Sequence, residues 1–215
     1  MTKASSPPSD QAPSDQALSD QALSDQALMA CVQAGETERF AEIVRRYQPA
    51  LLRVASSRLG RRDWAEDAVQ ETFLAAFKSR HTYRLEYGFR TWLWTILLNQ
   101  CRRWAGRRAR QPSVSCWSDE AAGAEASAVE RASIARGAPL PLEKLLADER
   151  SAWLDASLSR LPATQADALR LRFFGGLKFE EIAGAMRCSL STAKNRVRGG
   201  LVRMAELIRH SESAL

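Results

Sequence analysis

Apolar residues recur every three or four positions through two separate stretches of the chain, which cover about 36–110 and 149–210. This spacing is that of an α-helix with one buried face. No alternation of apolar and polar residues, the mark of a half-buried strand, competes with it. The sequence therefore predicts an all-α fold with two small helical domains joined by a flexible linker.

The N-terminal end is a repeat, SDQAP followed by three copies of SDQAL, over residues 9–28. A five-residue step turns the chain about 140° beyond one full helical turn. The leucines Leu18, Leu23 and Leu28 would therefore point in three directions and form no buried stripe. We expect residues 1–23 to be a disordered tail. The last copy differs because a helical pattern follows it, and Ser24 is placed to cap that helix.

Charge divides the chain into blocks of opposite sign. Residues 61–111 carry 11 basic and 5 acidic side chains, residues 150–215 carry 11 and 6, and residues 112–149 carry 3 and 7. The two basic blocks favour contact with a polyanion, although arginine-rich faces can also be merely solvated. The acidic block is rich in Ala, Ser, Gly and Pro, and its GAPLPLEK stretch interrupts helices. Residues 112–148 are therefore expected to be a flexible acidic linker.

Two helical patterns near the C-terminus are separated by a break at 187–189. The second pattern has a possible cap, Ser189, and an apolar stripe of Leu190, Ala193, Val197, Leu201 and Met204. Its opposite face is polar and cationic, and it consists of Ser191, Thr192, Lys194, Asn195, Arg196 and Arg198. The pattern is typical of a helix-turn-helix that places its second helix in the DNA major groove. The alternative is an ordinary helical hairpin with a solvated face.

Residues 62–79 are predicted to form an amphipathic helix. Its apolar side consists of Trp64, Ala68, Phe73 and Phe77. The other side is a polar stripe of Asp63, Glu66, Asp67, Gln70 and Glu71. Such a stripe is either a binding face for another protein or simply solvated.

The following helical stretch, 89–110, combines aromatic residues with a run of arginines. Arg102, Arg103, Arg107, Arg108 and Arg110 lie in a segment without an acid. Such a run of cations favours contact with a polyanion. Trp92 is expected in the core, and Trp94 and Trp104 are expected to be partly exposed.

These motifs resemble those of bacterial sigma factors of the extracytoplasmic-function (ECF) group. In the C-terminal block the match includes Leu161–Pro162, Gly176–Leu177, Glu181–Ala183 and Ser189 through Arg196. Gly199 departs from the family pattern, which usually has Arg there. In the N-terminal block the match includes AED at 65–67, QE at 70–71, and the FRTWL stretch at 89–93. Helix-turn-helix regulators outside the family have no reason to carry the N-terminal motifs.

The resemblance implies a function in transcription initiation. A domain at 24–111 would bind core RNA polymerase through Asp63, Glu66, Asp67, Gln70 and Glu71. The same domain would read and melt the minus-10 promoter element through Phe89, Asn99, Arg102, Arg103, Arg107 and Arg108. A domain at 149–210 would bind the minus-35 element as duplex through Ser191, Thr192, Lys194, Asn195, Arg196 and Arg198. An anti-sigma factor is a further implied partner.

Other functional classes find little support. None of the four cysteines forms a C-x-x-C pair or has a histidine at ligand spacing, so no metal or cofactor is expected. No catalytic constellation indicates an enzyme. The chain has neither a signal core nor a run of membrane-spanning length, which predicts a cytoplasmic protein without membrane insertion. The main alternative is a free-standing helix-turn-helix regulator, for which no dimerisation surface or ligand domain is evident.

Overall fold

The computed structural model describes residues 23–84, 88–110 and 141–212. Within these ranges the regular structure is helical throughout, which confirms the all-α prediction. The α-helices are α1 (Asp25–Gln33), α2 (Phe40–Leu59), α3 (Arg62–Lys78), α4 (Phe89–Arg110), α5 (Pro141–Ser159), α6 (Ala163–Phe173), α7 (Phe179–Ala185) and α8 (Leu190–Glu212). Short 3-10 turns lie at Thr37–Arg39 and Arg80–Thr82. The predicted tail and most of the predicted linker lie outside the described residues.

The last pentad of the repeat is part of the folded N-terminal domain. Ser24 caps α1, and its hydroxyl accepts a hydrogen bond from the backbone N–H of Ala27 at 3.2 Å. Asp25 accepts hydrogen bonds from the Tyr47 hydroxyl and from Arg46 Nη1, and Leu28 is buried. Burial, with the hydrogen bond to Asp25 second, raises the pKa of Tyr47 above its ordinary range. The pentad thus fastens α1 to α2.

Helices α1 to α4 form the N-terminal domain around a shared apolar core. Helix α2 packs on α3, and α3 packs on α4. Fully buried residues of this core include Ile43, Leu51, Leu93 and Leu97. This packing leaves one side of α3 and one side of α4 facing outward, where the predicted sites lie.

Helices α5 to α8 form the C-terminal domain, in which α8 packs on α6 and α7. Glycine weakens a helix interior by about 1 kcal/mol relative to alanine, yet α8 continues through Gly199 and Gly200 without a break. A Cβ atom at Gly200 would lie 2.8 Å from Leu169 Cδ1. The glycine therefore allows α8 to approach α6 closely.

The C-terminal end of the predicted linker is corrected by the structure. Helix α5 begins at Pro141, whereas the linker was expected to extend to residue 148. Proline is compatible with the first position of a helix, because the N–H that it lacks has no partner there. Pro141 of the GAPLPLEK stretch therefore coincides with the start of a helix.

The two domains pack against each other, an arrangement that the sequence did not indicate. Helix α4 contacts α7, and α2 contacts α5 and α6. Glu66 of the predicted polymerase surface lines a cleft together with Ser151 and Phe174 of the C-terminal domain.

Candidate protein and nucleic-acid interfaces

The polar stripe of α3 lies on the surface. Asp63, Glu66, Asp67 and Gln70 are exposed, and Glu71 is half-buried. Two of the acids are paired at the start of the helix, where Arg61 Nε donates to Asp63 Oδ1 at 3.1 Å and Arg62 Nε donates to Glu66 Oε1 at 2.9 Å. The hydrogen bond from Arg61 lowers the pKa of the Asp63 carboxyl below its usual value. Asp63 is therefore ionised at neutral pH.

An apolar groove between α2 and α3 lies directly beside this stripe. Its walls include Val44, Leu52 and Phe73, and Leu74 on its rim is 51% exposed. Glu66 and Gln70 line the same groove, whose volume is about 710 Å³. A surface with carboxylates along an apolar floor fits a partner helix that carries both apolar and basic side chains.

Phe89 lies in the core, which corrects the expectation that its ring contacts DNA. It is 2% exposed and packs edge-on against Tyr47 and Tyr83, with centroid distances of 5.6 and 5.8 Å. Trp94 is also fully buried, contrary to the expected partial exposure, whereas Trp104 is half-buried. Trp92, expected in the core, is partly buried against Tyr83.

The other predicted residues of α4 share an exposed arginine face, defined as Asn99, Arg102, Arg103 and Arg107. Arg102 Nη1 donates to Asn99 Oδ1 at 2.8 Å, and Arg103 Nη1 approaches Gln100 Oε1 at 3.3 Å. Arg107 lies over the Trp104 ring at 4.8 Å and reaches Glu71 at 3.5 Å. The side chain of Arg108 lies outside the described residues. The face offers cations beside a half-buried indole.

Helix α8 presents the predicted recognition face, defined as Ser191, Thr192, Lys194, Asn195, Arg196 and Arg198. Four of its side chains are exposed, and Thr192 and Arg196 are intermediate. Ala193 and Val197 are buried on the opposite side. Ser189 caps the helix as predicted, accepting from the backbone N–H of Thr192 at 3.1 Å. Leu190 and Leu201 of the predicted apolar stripe remain 38% and 46% exposed.

Neither a metal site nor a membrane-spanning helix is found among the described residues. They contain no group of three or more His, Cys, Asp or Glu side chains able to hold a metal ion. Across the helices of ranges 23–84, 88–110 and 141–212, none has the length and apolar character needed to cross a membrane.

Two family models match the two domains separately. The Sigma-70 region 2 model matches residues 43–111, and the Sigma-70, region 4 model matches residues 151–204. RNA polymerase sigma-H factor of Pseudomonas aeruginosa is 30% identical over 170 residues, which are 79% of this chain and 86% of that protein. The chain belongs to the sigma-70 family.

This sigma factor is similar to proteins of the ECF group. The ECF RNA polymerase sigma-E factors of Haemophilus influenzae and Escherichia coli are each 29% identical to it over 79% of its length, and the match covers 87% and 86% of those proteins. As a member of this group it is a promoter-recognition subunit that joins core RNA polymerase in transcription initiation. The family is not an enzyme family.

Solved structures of sigma factors share the fold of this chain. CnrH, in complex with the cytosolic domain of CnrY, has a TM-score of 0.64 at 21% identity and covers 86% of this sigma factor and 97% of the CnrH chain. RpoE of Bartonella quintana, in complex with the anti-sigma factor NepR, has a TM-score of 0.58 at 26% identity, covering 80% and 98%.

The sigma factor also has an apolar surface that the sequence analysis missed. A groove of about 290 Å³ lies between α5, α6 and α8 and is lined by Leu158, Leu169, Phe173, Met204 and Ile208, among others. Phe173 is 62% exposed there. The sequence signal for this groove was the apolar stripe of α8, which continues as far as Leu201 and Met204. A stripe that extends beyond the packed part of a helix leaves apolar surface uncovered.

Proposed function

We propose that this sigma factor uses the three surfaces described above for three different contacts. The stripe of α3 binds core polymerase, the arginine face of α4 engages the minus-10 element as it opens, and the recognition face of α8 binds the minus-35 duplex. The observation that supports this division best is that the acidic and the two basic surfaces lie outward on separate helices of one chain. A free-standing regulator needs no acidic binding face.

Asp67 and Gln70 are central to the proposed polymerase contact. Both are exposed near the middle of the stripe, and Gln70 adjoins the apolar groove. Apolar contact in the groove would supply affinity, and the flanking carboxylates would select a basic partner and its orientation. This arrangement also explains why the apolar Leu74 remains exposed beside charged residues.

The two DNA contacts are proposed to differ in kind. On α8, Lys194 and Arg198 would neutralise phosphates, whereas Asn195 would contact a base edge near the N-terminus of the helix. On α4, Arg102 and Arg103 would hold the backbone of the separated strand. Phe89 is omitted from this surface because it is buried, and its part is to position α4.

The experiment that tests the proposal is a titration of core RNA polymerase with purified sigma factor, followed by transcription of fragmented genomic DNA. Tight binding and new discrete start sites are expected, and the sequences shared upstream of those sites would define the promoter. Binding to duplex DNA without any binding to core polymerase would support the free-standing regulator instead.

Two matched pairs of variants assign the surfaces. Asp67→Arg is expected to weaken binding to core polymerase, whereas Glu38→Arg, an exposed acid outside the stripe, leaves it unchanged. Lys194→Ala is expected to weaken promoter binding and to reduce the slope of log affinity against log salt by about 1. Arg203→Ala, further along α8 and also exposed, should retain the slope. Equal effects within either pair would reject that surface.

We infer that the chain itself carries no catalytic step and acts in the cytoplasm, where polymerase and DNA are found. An anti-sigma factor is proposed as a regulatory partner, since the similar CnrH and RpoE structures each contain such a complex or a cytosolic partner domain. Adding a purified anti-sigma protein to the polymerase titration would test this through competition.

A further inference from the structure

A cleft of about 670 Å³ lies where the end of α2 and the start of α3 meet α5 and α6. Its volume is within the range of small-molecule sites. Among the described residues that line it are four arginines and two aspartates: Arg58, Arg61, Arg62, Arg170, Asp155 and Asp167. The proposed contacts with polymerase and DNA use none of these six side chains, so their arrangement needs another explanation.

Two of the arginines are buried on the floor of the cleft and share one buried carboxylate. Arg58 pairs with Asp167, and Arg170 Nη1 lies 3.6 Å from the same Oδ1 atom. Arg170 Nε donates to Ser57 Oγ at 2.9 Å. The side chains of Arg58, Asp167 and Arg170 are only 13%, 6% and 7% exposed, whereas Asp155 is half-buried. Buried charges need partners, and here two guanidinium groups depend on one buried carboxylate.

The balance of charge on the floor favours a further anion. Burial lowers the pKa of the Arg170 guanidinium below its ordinary value, although the nearby Asp167 opposes this shift. The charged form of Arg170 therefore loses more through burial than its neighbours restore. An anion that accepts hydrogen bonds in the cleft would stabilise that charged form.

The other two arginines, Arg61 and Arg62, lie at the mouth of the cleft and are 58% and 80% exposed. Arg61 pairs with Asp63, and Arg62 pairs with Glu66. Both acids are also more than half exposed, and ion pairs of this kind contribute little to stability. The two guanidinium groups can therefore exchange these partners for a bound anion. Guanidinium groups suit phosphate oxygens in particular, since they donate two parallel hydrogen bonds to them.

The remaining wall of the cleft is apolar, apart from the start of a helix. Leu59, Leu158 and Leu161 line it and are buried. Helix α6 contributes Ala163 from its first turn. Its N-cap residue is Pro162, which makes no side-chain capping hydrogen bond. Negative charge is favoured beside the N-terminus of a helix, so this wall adds to the attraction that the arginines exert on an anion.

We propose that this cleft binds a small anion that carries a diphosphate group. Arg58 and Arg170 would hold one phosphate on the floor, and Arg61 and Arg62 would hold the other at the mouth. Inorganic pyrophosphate and nucleoside diphosphates share this group, and the buried leucines offer an apolar surface to the nucleoside of the latter. The proposal is independent of the surfaces assigned to polymerase and DNA.

The test measures binding of inorganic pyrophosphate to the full chain by isothermal titration calorimetry at constant ionic strength. Saturable binding of one pyrophosphate per chain is expected, and orthophosphate should bind about tenfold more weakly or worse, because it loses the hydrogen bonds of one charged group. A parallel titration with ADP distinguishes the two sources of the diphosphate group. Tighter binding of ADP than of pyrophosphate would identify a nucleotide, and weaker or equal binding would identify the inorganic anion. Absence of saturable binding by both, or equal affinity for orthophosphate and pyrophosphate, would overturn the proposal.

Two matched pairs of variants locate the site. Ala163→Glu places a carboxylate in the cleft, whereas Thr164→Glu places it at the next residue, which does not line the cleft. Both positions are exposed in the first turn of α6, where an acid is favourable, so both variants should fold. Ala163→Glu should weaken pyrophosphate binding about tenfold or more through like-charge repulsion, and Thr164→Glu should leave it unchanged. Arg62→Gln should likewise weaken binding, whereas Arg45→Gln, at an exposed arginine of α2 outside the cleft, should not. Equal affinities within either pair would overturn the proposal.

Discussion

Gly199 and Gly200 are adjacent in α8, yet we predict opposite effects on stability when each is replaced by alanine. At Gly199 the new Cβ would lie 3.1 Å from Gln165 Nε2, the end of a flexible and half-exposed side chain. At Gly200 it would lie 2.8 and 3.0 Å from Cδ1 and Cγ of Leu169, which is only 4% exposed. The Gln165 side chain can therefore move toward solvent, whereas the Leu169 side chain is held in the core.

The magnitudes follow from two opposing contributions. Alanine is favoured over glycine inside a helix by about 1 kcal/mol, and this gain applies to both positions. Forcing a packed leucine to move costs about 1–3 kcal/mol, and this cost applies at Gly200 alone. Gly199→Ala is therefore expected to raise the free energy of unfolding by up to about 1 kcal/mol. Gly200→Ala is expected to lower it by up to about 2 kcal/mol.

Urea unfolding of the full chain, followed by circular dichroism, measures the difference between the two variants. Comparison of midpoints at equal slope suffices, since both changes lie in the same helix. If Gly200→Ala proves as stable as Gly199→Ala, the close packing of α8 on Leu169 is wrong. A loss of stability in Gly199→Ala would instead show that Gln165 cannot move.

Three further predictions concern the N-terminal domain. Asp25→Ala should lower the free energy of unfolding by about 1–3 kcal/mol, because the buried Tyr47 hydroxyl loses its acceptor. Asp20→Ala, in the preceding pentad, should leave it unchanged, and equal losses for the two variants in urea unfolding would contradict this prediction. Burial raises the pKa of the Cys101 thiol to about 11, so iodoacetamide should modify Cys31 before Cys101. Stability should fall as pH rises above about 8.5, where the unfolded thiol ionises first, and Cys101→Ala should remove the part of this decline that lies below about pH 10, where unfolded tyrosines begin to ionise. Phe89→Ala should cost about 3–5 kcal/mol, and a fully stable variant that fails only in DNA binding would contradict its core position.

The helices were predictable because their signals are local. Ser24 and Ser189 cap the helices that they precede, as the sequence predicted. The exposure of the stripe on α3 and of the face on α8 followed from periodicity, since a helix that buries one side must show the other. The predicted end of the linker was wrong because Pro141 was interpreted as interrupting a helix. Proline is equally suited to the first position of a helix.

The positions of the aromatic residues were not predictable, because their environments are built from distant parts of the chain. Phe89 is enclosed by Tyr47 and Tyr83, which come from α2 and from the segment before α4. Trp94 lies against Gly175 of the other domain. An aromatic residue that stacks on bases and one that packs in a core do not differ in residue type or in spacing along the sequence. Only tertiary contacts distinguish the two kinds of residue. Contacts between domains produce no periodic pattern in the sequence.

The contact between Glu71 and Arg107 shows why surfaces inferred separately from sequence are not independent in the fold. Glu71 belongs to the stripe proposed to bind polymerase, and Arg107 belongs to the arginine face proposed to bind DNA, yet their side chains meet at 3.5 Å. A partly exposed pair of this kind contributes only about 0–1 kcal/mol to stability, so the contact matters mainly for positioning. Replacing Glu71 would release Arg107 and change both surfaces together. Asp67, which is exposed one turn earlier, is therefore the residue whose replacement reports on polymerase binding alone.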